Sequence, residues 1–244
     1  MQSPRIMSQH SYGPLFHSGS IAASRAREGE ADFLWRTYRW MALGLALTGT
    51  VAWIVASTPS LAQAVFANPI VFYGAFIAEL VLVAVFAARA PRMSFPAAAA
   101  TFGAYAALNG VTMAMIFLLY TASSVGQVFF VCAGAFGALA AYGAMTKRDL
   151  TAVGHFMFIG LVGLVLASVL NMFLKSPAVY WVTTYAGVLI FAGLTAYDNQ
   201  KLRQLYAQQG EGGNLALQGA LTLYLDFVNL FLLLLRLFGR RRDS

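Results

Sequence analysis

Seven blocks of predominantly apolar residues, separated by short polar turns, constrain this chain more than any other feature. They run over about 38–58, 69–88, 97–119, 125–145, 152–174, 179–200 and 215–238. A helix rising 1.5 Å per residue needs roughly 20 residues to cross the hydrocarbon core of a bilayer, so each block is long enough to span it. Hydrophobic residues fill 59% of the 244 positions and charged residues only 10%. A soluble domain carries about 25% charged residues, and this much apolar surface does not fit into one soluble core. The expected fold is an all-α integral membrane protein with seven transmembrane helices. Pro59, Pro69, Pro91, Pro96 and Pro177 fall at block ends, where proline interrupts no interior hydrogen bond.

The domain division follows: residues 1–37 form a polar tail ending in a short amphipathic lead-in helix, and residues 38–244 form one transmembrane domain. The tail has no apolar h-region, so no cleavable signal peptide is expected. His10 and His17 have no metal-ligand company. The formal charge of +7 is held in clusters between apolar blocks, as expected of loops facing anionic lipid. A nucleic-acid partner would need a basic soluble face with exposed aromatics, and the aromatics here lie inside the blocks. The single cysteine, Cys132, sits in an apolar run and reads as a small core residue.

Basic residues set the orientation. Arg25, Arg27, Arg36 and Arg39 precede block one. Arg89 and Arg92 follow block two, Lys147 and Arg148 follow block four, and Lys201 and Arg203 follow block six. The alternate turns are nearly bare, which puts the N-terminus in the cytoplasm. Arg240, Arg241 and Arg242 break the rule if block seven crosses fully. Either earlier helices overrule them, or block seven dips in and returns. Its length favours the full span.

Three acids sit inside apolar blocks: Glu79 in block two, Asp198 near the end of block six, and Asp226 in block seven. A carboxylate at the centre of a membrane helix costs roughly 2.5–3.5 kcal/mol on insertion scales, and such residues mark ion or proton paths. Asp226 lies 11 residues into its block, about 16 Å deep at 1.5 Å per residue. Thr222 and Asn229, at i−4 and i+3, complete a polar stripe that must face protein or water, so block seven belongs inside the bundle. Asp198 can reach Asp226 if block six runs on past its apolar boundary toward Tyr206. Two carboxyl groups that meet there cannot both stay ionised cheaply, and such a pair can share one proton. Doubly ionised, it offers oxygen ligands to a hard cation such as Ca²⁺. The plainer alternative is a protonated, hydrogen-bonded acid that locks helices together. Glu79 is a third acid that either lines a cavity or packs structurally. His155, at the start of block five, reads as an interfacial residue.

No resident cofactor and no enzyme activity are expected. GxSxG, HExxH and P-loop patterns are absent. Block six reads TAYD, as in intramembrane aspartyl proteases, but LYLDFVN in block seven lacks their glycine.

TAYDNQKLRQLY followed by ALTLYLDFVNLFLLLLRLFG resembles the signature end of the transmembrane Bax-inhibitor-motif family. RTYRWMALGLALTG and AELVLVAVFAAR are similar to its prokaryotic branch, so the resemblance covers about residues 35–240. It implies six helices packed around the C-terminal one. It also implies a pH-sensitive calcium leak governed by a hydrogen-bonded aspartate pair, matching Asp198 and Asp226. The family's block-two glutamate matches Glu79. Its dyad-contacting arginine matches Arg89, with Arg92 as rival. Some prokaryotic relatives are tied to a membrane-bound protease. The composition and the prokaryotic similarity suggest a bacterial cytoplasmic (inner) membrane protein.

Three functions compete on this reading. One is a cation leak channel, with Ca²⁺ and protons as partners of the aspartate pair. Another is a non-transporting modulator of membrane proteolysis or of cell-death and stress partners. The third is a proton-coupled transporter with Glu79, Asp198 and Asp226 as a relay.

Overall fold

The computed structural model describes residues 15–210 and 212–242, with side chains from residue 28 onward. His10, and the side chains of His17, Arg25 and Arg27, therefore lie outside what is described. The elements are α1 (Leu15–Ser57), α2 (Pro59–Phe66), α3 (Pro69–Arg89), a 3-10 turn (Ala90–Arg92), α4 (Phe95–Leu119), α5 (Ala122–Met145), α6 (Thr151–Leu174), α7 (Pro177–Gln209) and α8 (Leu215–Phe238). Among the described residues, seven helices are long and apolar enough to cross a membrane, and they coincide with the seven blocks.

Three boundaries differ from the sequence expectation. The lead-in segment and block one form one unbroken helix, α1. No proline interrupts it, and the i,i+4 pair Asp32–Arg36, at 2.5 Å, supports its polar turn. The link between the first two spans contains the extra helix α2. Thr58 is extended, Pro59 opens the helix with the φ that a first turn needs, and Ala67 closes it. The Asn68 side chain then accepts a hydrogen bond from Ile70 N at 3.0 Å and starts α3. The third is α7, which passes the apolar boundary at residue 200, takes up the allowed extension toward Tyr206 and ends at Gln209.

The extension of α7 is held by the polar start of α1. Glu30 pairs with Arg203, Phe33 stacks on Tyr206 with centroids 4.8 Å apart, and the Tyr38 hydroxyl donates to Asn199 Oδ1. Gly210, at φ +64°, ends the helix with a backbone conformation that costs glycine little.

Helix α8 is buried almost along its whole length, whereas Gly154 is the one buried residue of α6. The principal neighbours of α8 are α7, α1, α5 and α4; α3 leans mainly on α4, and α6 on α7. A helix this apolar is ordinarily lipid-facing, but side chains of Phe129 and Phe136 (α5) pack on its Phe227, and Phe102 and Tyr105 (α4) pack on its Tyr224. Cys132 is buried against the Phe227 carbonyl, as a small core residue.

Block seven is one unbroken helix, long and apolar enough to cross a membrane. Beyond α8, Thr121 N donates to Arg240 O and Arg242 N to Leu119 O, both at 3.0 Å, and Arg240 N donates to Ser124 Oγ at 2.8 Å. The arginines are thus fixed to the turn between α4 and α5, at the end of the bundle opposite the start of α1.

Candidate functional site: an aspartate pair in a cleft between α6, α7 and α8

Asp198 on α7 and Asp226 on α8 face one another closely enough for a side-chain hydrogen bond. Asp226 is only 5% exposed. Two carboxylates bring no donor between them, and among the described residues Asp226 Oδ2 has no hydrogen-bond partner. A single proton on either residue supplies the missing donor, so the geometry suits a pair that holds one proton.

The pair lines a cleft of about 550 Å³ with Gly154, His155, Tyr197, Lys201, Thr222 and Asn229 among its walls. The polar stripe of α8 therefore faces this cleft. Thr222 Oγ1 donates to Gln218 O at 3.2 Å and Asn229 Nδ2 to Leu225 O at 2.8 Å, so their own helix satisfies these donors. A second cleft of about 580 Å³ continues toward the other end of the bundle. It shares Leu161, Val165, Phe191 and Asn229 with the first and reaches Ser168, Asn171, Thr183 and Arg236. The gap between α6 and α8 is thus lined by polar groups at both ends, with the aspartates between Lys201 and Asn229.

Lys201, three residues on in α7 and seated over the Tyr197 ring at 5.6 Å, is near enough for its charge to act on Asp198 and lines the same cleft without forming an ion pair with it. The resemblance implies an arginine in this role. Arg89 and Arg92 are both exposed, and no hydrogen bond or ion pair joins either to the aspartates. The reason is placement: α3 leans on α4 rather than on α7, and its terminal turn is tied to the α7–α8 loop by Asn214 Nδ2, which donates to Ala90 O and Met93 O at 2.9 and 2.8 Å. The spacing D-x-x-K in DNQK was the available signal for Lys201.

Glu79 does not join the pair. Its Oε1 accepts from Thr112 Oγ1 at 2.6 Å and its Oε2 from Asn109 Nδ2 at 3.2 Å. Asn109 Oδ1 accepts from the Tyr224 hydroxyl at 2.9 Å, which lies 2.6 Å from Thr48 Oγ1. Thr48 in turn donates to Ala106 O at 2.8 Å. This chain links α3, α4, α8 and α1. It meets α8 at Tyr224, two residues and therefore about 200° around the helix from Asp226. Asn109 and Thr112, three residues apart in a mostly apolar block, were the sequence signal for it.

Among the described residues no three His, Cys, Asp or Glu side chains cluster as a metal site. The pair offers two carboxyl groups, fewer ligands than the six to eight oxygens of a resident Ca²⁺.

Comparison with known proteins agrees with this architecture. The family model described as "Inhibitor of apoptosis-promoting Bax1" matches residues 30–243. The inner membrane protein YbhL of Escherichia coli (strain K12) is 46% identical over 230 residues, covering 92% of this chain and 97% of YbhL. An uncharacterized protein of Deinococcus radiodurans is 43% identical over 86% of this chain and 91% of its own length. One from Rickettsia prowazekii is 39% identical over 88% and 92%. The chain belongs to the Bax inhibitor family, as a multi-pass protein of the bacterial inner membrane.

Proposed function

We propose that this chain is a pH-sensitive cation leak, with Ca²⁺ as its permeant ion and Asp198 and Asp226 as its proton-sharing gate. The observation that carries the reading is the pair's position in the wall of one of two contiguous clefts that run along α6, α7 and α8. With one proton shared, the pair carries a single charge and ties α7 to α8. With the proton lost, two negative charges stand side by side, repel, and attract a divalent cation. Two carboxyl groups, with the Thr222 and Asn229 side chains nearby, suit brief coordination of a passing ion rather than tight retention. Lys201 sets the electrostatic threshold at the mouth.

Proteoliposomes holding the unmodified chain, Asp198→Asn or Asp226→Asn, with Ca²⁺ flux followed across pH, test this. Each variant is expected to flatten the pH profile, because one remaining carboxyl cannot share a proton. Unchanged flux and profile in both would sink the proposal and leave the pair as a structural lock, in a protein acting through a membrane partner. The transporter reading has less support, since Glu79 lies across α8 from the pair. Glu79→Gln is expected to leave the pH profile in place.

A further inference from the structure

A groove on the other side of α8 has no role in the cleft just described. Helix α1 packs mainly on α4 and α8, and α5 mainly on α7 and α8. Between α1 and α5 a channel is therefore left open, floored by Phe227, Val228 and Phe231 of α8. Its upper part holds about 290 Å³, with Thr48 its one side-chain hydroxyl. It continues along the same wall, sharing Leu45 and Phe129 with the space below. Gly49 and Gly126 line it, and a Cβ on either would meet nothing within 4 Å. In a bilayer such a slot opens onto hydrocarbon and is filled by it.

The mouth of the slot is charged. Ala122 and Val125 line it at the start of α5, and Ile116 and Phe117 line it at the end of α4. The intervening turn is the one that binds the backbone of Arg240, Arg241 and Arg242. All three arginines are exposed. They are held beside the slot by backbone hydrogen bonds and do not trail away from the bundle. Their placement also accounts for a charge cluster that the distribution of basic residues alone does not explain.

We propose that this corner binds an anionic phospholipid, with its phosphate on the Arg240–Arg242 guanidinium groups and one acyl chain lying in the α1–α5 groove over Phe227 and Phe231. Guanidinium forks match phosphate oxygens in pairs, and a continuous apolar slot beside them favours a lipid over free phosphate.

Trp53 lines the groove and makes the test direct. Full-length protein with Trp35→Phe, Trp40→Phe and Trp181→Phe keeps Trp53 as its one tryptophan. It is placed in nanodiscs with phosphatidylglycerol or phosphatidylcholine brominated on the acyl chain. Phosphatidylglycerol is expected to half-quench Trp53 at a several-fold lower mole fraction. The two curves should converge in Arg240→Gln/Arg241→Gln/Arg242→Gln, and on raising the ionic strength with the arginines intact. Gly126→Leu, which fills the groove, should weaken quenching by both lipids. Coincident curves with the arginines intact would overturn the proposal, as would a preference that survives both their removal and high salt. Absence of quenching by either lipid would overturn it too, marking a groove covered by a second copy or another helix.

Discussion

Tyr224 is fully buried and joins two helices to α8 through one hydroxyl. Thr48 and Tyr224 have two hydroxyl protons for three contacts: Thr48 with Ala106 O, Thr48 with Tyr224, and Tyr224 with Asn109 Oδ1. Tyr224→Phe removes two of the three. Thr48 keeps its bond to Ala106 O, but Asn109 Oδ1 is left in the interior without its hydroxyl donor. A buried acceptor left unmet costs about 1–3 kcal/mol, whereas side-chain hydrogen bonds between membrane helices average about 0.6 and reach about 1.7 kcal/mol. The expected loss is therefore about 1–2 kcal/mol. Reversible unfolding in mixed bicelles with increasing dodecyl sulfate measures it, and a cycle with Thr48→Val should show coupling of at least about 0.5 kcal/mol. Because Tyr224 does not line the aspartate cleft, the pH profile of Ca²⁺ flux should keep its midpoint. A Tyr224→Phe protein within about 0.3 kcal/mol of the unmodified chain, with no coupling to Thr48, would refute the reasoning. A moved midpoint would refute the separation of the two polar sites.

Other expectations follow from close contacts and from one surface carboxylate. A Cβ on Gly143 would stand 2.0 Å from the Ala196 carbonyl oxygen, so Gly143→Ala must push α5 off α7 two residues from Asp198. It should cost about 1–3 kcal/mol in the same unfolding assay, whereas Gly134→Ala, which meets nothing within 4 Å, should be neutral or slightly stabilising. Equal effects would show that the α5–α7 approach is slack. Asp149 Oδ1 accepts from the Thr151 hydroxyl at 2.6 Å and from Thr151 N at 2.9 Å. These bonds hold its carboxyl below the usual carboxylate range. Its contribution is present above the unfolded value, near 4, and is lost as pH falls through the lower folded value. Asp149→Asn should therefore lower the melting temperature at pH 7 and by less at pH 3; an equal loss at both would disprove the role.

The bilayer makes part of this fold readable, because thickness alone converts an apolar run into a helix of fixed length. That logic locates the ends of α3, α4, α6 and α8 to within a few residues. It says little where a helix leaves the hydrocarbon. The continuity of α1 and the overrun of α7 are set by Glu30, Phe33 and Tyr38 meeting Arg203, Tyr206 and Asn199, residues some 160–175 positions apart. Asp226 announced itself by its cost, and Thr222 and Asn229 by helical spacing. Which cation attends Asp198 depended on whether α3 or α7 carries it, a lateral packing choice that spacing does not encode. The Tyr224 network was hidden for the same reason: its members are ordinary singly, and only contact between four helices makes them a unit.

The clasp between α1 and α7 has a mechanical consequence. Helix α7 has 33 residues and is about 50 Å long, well beyond a hydrocarbon core of roughly 30 Å. Its depth is set by protein contacts at its polar end. Helix α6, with little buried surface and α7 as its main support, is freer to tilt. When such a protein meets a thinner or thicker bilayer, the mismatch must be taken up by the element with the weakest anchoring. Here that element is one wall of the aspartate cleft. Membrane thickness would thus widen or narrow the gap beside Asp226 while leaving the aspartate where it is.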